Sequence, residues 1–301
     1  MAVNKEVWKK GIKEQYEVNV PQFLKECTPL ETVMVDGNEY MHSSEAGADP
    51  DVLEDNNTYP IPTVERTDVS QKTRMVKFET KNTIVRDLEN MQYHYDKKLS
   101  VTKGHARALA NKHSLHAAYV FSPTSDTTDT PILVTTGLDD GRSTGSKALL
   151  EADILNLHEA MYAIVGDTPK NLVLSVQHFF DIQRTSEILQ RQQYSIGKMG
   201  EISIAPVYLH GFKIFVYNSG VLYDSSGNKL AKGTNKTPTR RPASFCFVGD
   251  EAEYGIGTVR PFFKIADPDQ RGDVVGFGRW FGARTARQSE KFFGAIRSVA
   301  V

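Results

Sequence analysis

The chain has 301 residues, 40% of them hydrophobic, with 36 basic against 37 acidic side chains. That length and apolar content support a packed core of one or two domains. The balanced charge excludes a chain built chiefly to wrap nucleic acid, which carries a basic excess. Cys27 and Cys246 lie too far apart in sequence to frame a disulfide scaffold or a paired-cysteine zinc site. No apolar run reaches the length of a signal-peptide core or a membrane span, so cytosolic synthesis and no membrane contact are expected.

Residues 1–30 are mixed and polar. Val3, Val7 and Trp8 allow a short amphipathic helix there, and Pro21 and Pro29 stop anything longer. Residues 31–65 hold nine acidic residues and no Lys or Arg. The core of that stretch, SSEAGADPDVLEDNNTYPIP, predicts a long exposed loop, a length that usually signals function or disorder. Charge then reverses. RTDVSQKTRMVKFETKNTIVR, 66–86, carries six basic residues against two acidic ones. Val76, Phe78 and Thr80 alternate with Lys77, Glu79 and Lys81, the period of a strand with one covered face. Acidic loop and basic strand together predict a long projecting hairpin.

Residues 93–121 predict a long helix despite Gly104, with Asp96 or Ser100 as its cap. Its stripe is Leu99, Ala106, Leu109, His113, Ala117 and Val120. Ile132–Val134 is a short strand between turns. Residues 147–165 predict a second helix, with Leu150, Ile154, Leu157, Met161 and Ile164 on one buried face. A buried strand is expected at Asn171–Val176 and a helix at roughly 185–194. The 203–218 stretch is strand-rich with a break at Gly211, 224–242 is a polar loop, and 244–248 is another strand. TVRPFFKIA and DVVGFGRWFGAR flank DPDQRG, which predicts a β-hairpin. A short amphipathic tail with Phe292, Phe293 and Ile296 closes the chain. Strands and helices mix without βαβ regularity, so the class is α+β.

No motif for catalysis emerges. Gly276, Gly278 and Gly282 lack the following helix, strand and acidic residue of a dinucleotide site, and tight strand packing explains them better. GRSTGSK, 141–147, has the wrong spacing for a phosphate loop, and Ser146 is the expected cap of the next helix. His105, His113 and His116 lie near one face of the long helix without a fourth ligand, so packed histidines are expected rather than a metal centre. Asp267, Asp269 and Asp273 lack the glycine and closing glutamate of a calcium loop. No cofactor is expected.

The order of segments carries more than any motif. A short arm, a long acidic hairpin, a long helix, a mixed α/β region and a final hairpin resemble the Hong Kong 97-type major capsid protein of tailed bacteriophages. MVKFETKNTIVRDLENMQYHYDKKLSVTKGHARALANK, 75–112, resembles that family's passage from extended loop into spine helix. HGFKIFVYNS, 210–219, and GRWFGARTARQSEKFFGAI, 278–296, resemble its core and carboxy-terminal segments. The resemblance implies an N-terminal arm and entry strand at 1–40, an extended loop hairpin at 41–90 and a peripheral domain with the spine helix at 91–146. An axial domain at 147–256 and a return hairpin to the peripheral domain at 257–301 complete it. It further implies a structural subunit, not an enzyme, that assembles through pentamers and hexamers into an icosahedral shell of the virion. That shell would enclose double-stranded DNA without sequence-specific binding. Implied partners are separate scaffolding, portal and decoration proteins, and the implied place of synthesis is the host bacterial cytoplasm. The competing readings are an encapsulin-like compartment shell and a cytosolic α+β enzyme built from scattered residues such as His105, His113 or His116.

Charge segregation along the chain suggests how copies would hold register. Opposite patches steer encounter and penalise wrong registers. The acidic loop, with Glu45, Asp49, Asp51, Glu54 and Asp55, is expected to meet basic surface of an adjacent copy. Candidate partners are Arg74, Lys77, Lys97, Lys98, Lys103, Arg107, Arg279 and Arg284.

Overall fold

The computed structural model describes residues 16, 20–30, 35–36, 40–45, 47, 50–86, 97–139, 141, 145–186, 207–235, 237 and 241–300. The expected N-terminal helix with Val3, Val7 and Trp8, the cap Asp96 and the loop residue Asp49 lie outside these residues.

In chain order the elements begin with a short helix α1 (Gln22–Lys25) and strand β1 (Thr28–Leu30). Strands β2 (Val35–Asp36), β3 (Tyr40–Glu45), β4 (Val69–Arg74), β5 (Val76–Glu79) and β6 (Thr83–Arg86) follow. Helix α2 (Lys97–Val120) leads to β7 (Ile132–Val134), helix α3 (Glu151–Val165), β8 (Lys170–Leu174) and helix α4 (Val176–Thr185). Next come β9 (Val207–Leu209), β10 (Phe212–Val216), β11 (Leu222–Tyr223), β12 (Arg241–Val248) and β13 (Ala252–Ile256). The chain ends with β14 (Arg260–Asp267), β15 (Gly272–Thr285) and β16 (Phe293–Arg297).

The 14-residue strand β15 organises the first sheet. Its first half pairs with β14 and β6, and its second half with β5 and β13, beyond which lies β1. The hairpin about DPDQRG is therefore present as expected. Its glycines make room for neighbours, as tight packing requires. A Cβ on Gly282 would lie 2.6 Å from Met41 Cε, and one on Gly276 would lie 2.2 Å from Asn82 Oδ1.

The second sheet runs β7-β16-β12-β8-β10-β9, with β11 beside β12. Side chains alternate across it, as the strand period demands. Val173, Phe245 and Phe247 face a cluster that also takes Ala117, Phe121, Phe281 and Phe293, so the end of α2 and both sheets share one core. Leu172, Leu174 and Cys246 face the opposite way, onto Ile154, Leu157 and Met161 of α3 and Ile182 of α4. Leu157 is fully buried. The third sheet is β2-β3-β4.

Four sequence expectations are corrected. Helix α3 starts at Glu151, not 147, because Asp153 accepts the Leu150 backbone N–H at 3.0 Å and so caps the helix start. Ser146 is therefore no cap; it bridges to Ala300 and accepts a hydrogen bond from Arg241. The strand expected to reach Val176 ends at Leu174 and is followed by a helix, Val176–Thr185, capped by Ser175 on the His178 N–H at 3.2 Å, while the helix expected at roughly 185–194 lies, beyond residue 186, outside the described residues. The closing tail is strand β16, set between β7 and β12, so the return hairpin ends at Thr285 and the chain crosses to the second sheet.

Candidate assembly surfaces

Strands β3 and β4 pair in antiparallel register from Tyr40↔Arg74 to Glu45↔Val69. The described part of the chain between them has no helix or strand before Val69 and is held at its root. The Gly47 N–H donates to Asp68 Oδ1 at 2.8 Å, and Arg66 pairs with Asp68 at 2.9 Å. Beyond that root the strap runs through water. Asp51, Glu54 and Asp55 are exposed, as the acidic composition predicts. The apolar side chains are exposed too. Val52 is 88% exposed, Leu53 53%, Tyr59 75%, Ile61 51% and Val64 87%. Fully burying one such side chain is worth about 1.5–3 kcal/mol, so the isolated chain forgoes a large stabilisation along one contiguous segment. Scattered exposed apolar residues are ordinary, but a run of them marks an interaction surface. These five were missed at the sequence level because their acidic neighbours dominate the composition. Their recurrence inside an acidic run was the available signal.

Glu45 sits at the root and serves its own chain, accepting hydrogen bonds from the Gln71 side chain and, at 3.3 Å, from the Gln288 backbone. The candidate cations divide. Arg74, Lys103 and Arg107 are exposed, without a carboxylate partner among the described residues. Lys77 pairs with exposed Glu79 at 2.6 Å. Lys97 is partly buried at the start of α2. Lys98, Arg279 and Arg284, like Lys77, are engaged within their own chain. Lys98 meets Asp273 at 2.8 Å and ties α2 to β15. Arg279 donates from Nε to the Gly257 carbonyl at 2.9 Å and lies 4.4 Å from the centre of the Tyr16 ring. Arg284 is 4% exposed; its Nε meets Glu253 at 2.6 Å and its Nη2 donates to Ser43 at 2.9 Å.

The three histidines of α2 line the seam against β15. His113 is fully buried, takes Tyr16 Oη at 2.7 Å on Nδ1 and stacks on Phe281 at 4.6 Å. Burial, then Arg279, His116 and Lys232, holds its imidazole well below the usual histidine range. Burial and then Lys232 lower His116 to about 4, and burial lowers His105. They pack as core aromatics. Among the described residues no group of His, Cys, Asp or Glu is arranged to hold a metal ion, and no helix is long and apolar enough to cross a membrane. Asp267 accepts from Lys264 and from the Asp269 N–H, which makes the 267–269 segment a turn.

The chain matches no family model, and no curated protein matches it in sequence. Its fold does match solved structures. The capsid of Ralstonia phage GP4 aligns at TM-score 0.62 and 11% identity, over 92% of this chain and 87% of that one. The capsid structure of cyanophage P-SCSP1u aligns at TM-score 0.59 and 14% identity, over 94% and 89%. A virus-like particle from Pyrococcus furiosus aligns at TM-score 0.55 and 12% identity, over 97% and 99%. From the first strand to the last, the chain has the α+β fold of phage capsid proteins, the Hong Kong 97-type fold.

Proposed function

We propose that the chain is a structural subunit that self-assembles into the icosahedral shell of a tailed phage and carries out no catalysis. The observation that carries this reading is the likeness to phage capsid chains along nearly the whole length of both partners. A chain whose job is a shell must present surface that only another copy covers, and the strap supplies it. In this reading α2 is the spine helix, the 41–90 hairpin is the extended loop, and pentamers and hexamers tile the shell. Scaffolding, portal and decoration proteins would be separate chains, and the enclosed genome double-stranded DNA.

The strap then meets a neighbour through both of its characters. Its Asp51, Glu54 and Asp55 need cations, and its valines need apolar cover. Strands β4 and β5 carry both, with exposed Val69 and Arg74 at opposite ends of β4 and exposed Val76 and Lys77 on β5. Exposed pairs contribute only about 0–1 kcal/mol each, so charge sets register while apolar cover supplies strength. The test is the sedimentation of the purified protein. A shell sediments as a particle of many subunits; a monomer or small oligomer at all concentrations and ionic strengths would overturn the reading.

A further inference from the structure

Helix α2 contains Lys97, Lys98, Lys103, Arg107 and Lys112 and no acidic residue. Lys98 is matched by Asp273, but exposed Lys103, Arg107 and Lys112 have no carboxylate partner among the described residues. At about 100° per residue, the face turned away from β15 runs through Ser100, Gly104, Ala108 and Asn111. Lys103 and Arg107 follow one flank of that ridge and Lys112 the other. The ridge is low, and a Cβ on Gly104 would meet nothing within 4 Å. Grooves of about 580 and 470 Å³ share Gly104 and Ala108. Lys81 and Lys112 line the first groove and Arg107 the second. In the first, His105 is 7% exposed and its Nε2 has no hydrogen-bond partner. Lys232 adds to the crowding, its ammonium held below the ordinary lysine range by burial first and by Lys112 second. Among the described residues Glu79 is the acidic side chain in these grooves, and it is paired with Lys77, so the cations of the ridge outnumber it.

We infer that the outer ridge of α2 is a docking surface for the phosphate backbone of double-stranded DNA, and that it faces the inside of the shell. The ligand must be polyanionic and extended. At 1.5 Å rise per residue, Lys103 and Arg107 stand about 6 Å apart along the helix, and Lys103 and Lys112 about 14 Å, which suits a row of phosphates. The crest of Ser100, Gly104, Ala108 and Asn111 carries no ring for unstacked bases, and the rings beside it, Phe78 and Tyr217, are partly buried in the flanking grooves, which disfavours single strands. Contacts from lysines and small polar groups position a duplex without reading its sequence. The rival occupant is an acidic protein segment such as residues 46–65. That strap exposes five large apolar side chains, whereas the crest of the ridge carries only the methyl of Ala108 beside a hydroxyl, an amide and bare backbone. Choosing DNA as the polyanion rests on the shell reading; the cationic ridge itself does not.

Four cations, Lys81, Lys103, Arg107 and Lys112, imply a salt dependence of log K on log salt of about −3 to −4. One subunit binds weakly, and an array of them gains by multivalency. The experiment titrates a fluorescent DNA duplex with purified subunit across salt, beside K103Q/R107Q/K112Q and a synthetic peptide of residues 46–65. The wild type should bind two unrelated duplexes equally, with the stated slope. The triple variant, with unchanged circular dichroism, should bind at least tenfold more weakly, with the slope reduced by about 3. Equal binding by variant and wild type overturns the inference, as does binding of the peptide but not of the duplex. Electron micrographs of the same preparations separate the two claims. Shells whose subunits bind no duplex once dissociated overturn this inference alone, and duplex binding by subunits that form no shells overturns the shell reading alone.

Discussion

Replacing Val52, Ile61 and Val64 together by serine separates what the strap does in one chain from what it does between chains. In the isolated subunit these side chains are 88%, 51% and 87% exposed, so their loss removes little buried surface. Surface changes of this kind usually fall within about 0.5 kcal/mol, and the urea midpoint of the subunit should stay put. In the proposed shell a neighbouring copy covers the same side chains. Full burial is worth about 1.5–3 kcal/mol for each, so the triple variant should weaken the particle by up to about 5–9 kcal/mol per subunit. Partial cover lowers that figure, and the extended-chain reference makes it an upper bound. Light scattering of assembled particles through a denaturant series reads the effect directly. A large destabilisation of the lone subunit would mean the strap packs on its own chain. Particles as resistant as wild type would mean the strap stays in water after assembly. Either result refutes the reasoning.

Changing Asp49, Asp51, Glu54 and Asp55 together to lysine should leave circular dichroism unchanged and prevent closed particles; normal shells would make the strap's charge incidental. Leu157→Ala removes a fully buried side chain facing Leu172 and Met161, at a cost of about 2–5 kcal/mol. It should give insoluble or unassembled subunit, and wild-type solubility would mean that face of α3 is not core. Acid should loosen the α2 seam. His116 titrates at about 4 in the fold against 6.5 when free, so the unfolded chain takes up its proton first. That contribution is full above pH 6.5 and is lost as pH falls toward 4, with His113 and His105 acting in the same direction. For His116 alone the loss is about 2–3 kcal/mol after allowance for its partial exposure. Urea midpoints at pH 7.5 and pH 5 should differ by less in His116→Phe, and an unchanged difference would acquit the histidine.

The parts of the fold that were legible in the sequence are those set by local period and turn chemistry. Helix α2, the core face of α3 and the β14–β15 hairpin all follow from spacing within a few turns or from DPDQRG. The boundaries that moved depend on groups far apart in sequence. His178 anchors α4 by hydrogen bonds to Ser244 and Ser298, each at 2.7 Å and 66 and 120 residues away. No local pattern announces such a bond, and the adjacent Phe179 and Phe180 obscure the helical stripe. Arg284 looked like surface because strand charges usually are. Its place opposite Glu253 follows only from the register of β13 on β15. The strap's length and charge were visible, while its exposed valines became meaningful only once nothing in the fold covered them.

A cryo-electron micrograph of the purified protein, taken to a reconstruction, tests the central claim most directly. Closed icosahedral shells are predicted, in which each copy's residues 51–65 lie against another copy. Monomers, or a small closed oligomer with the strap still in solvent, would contradict it.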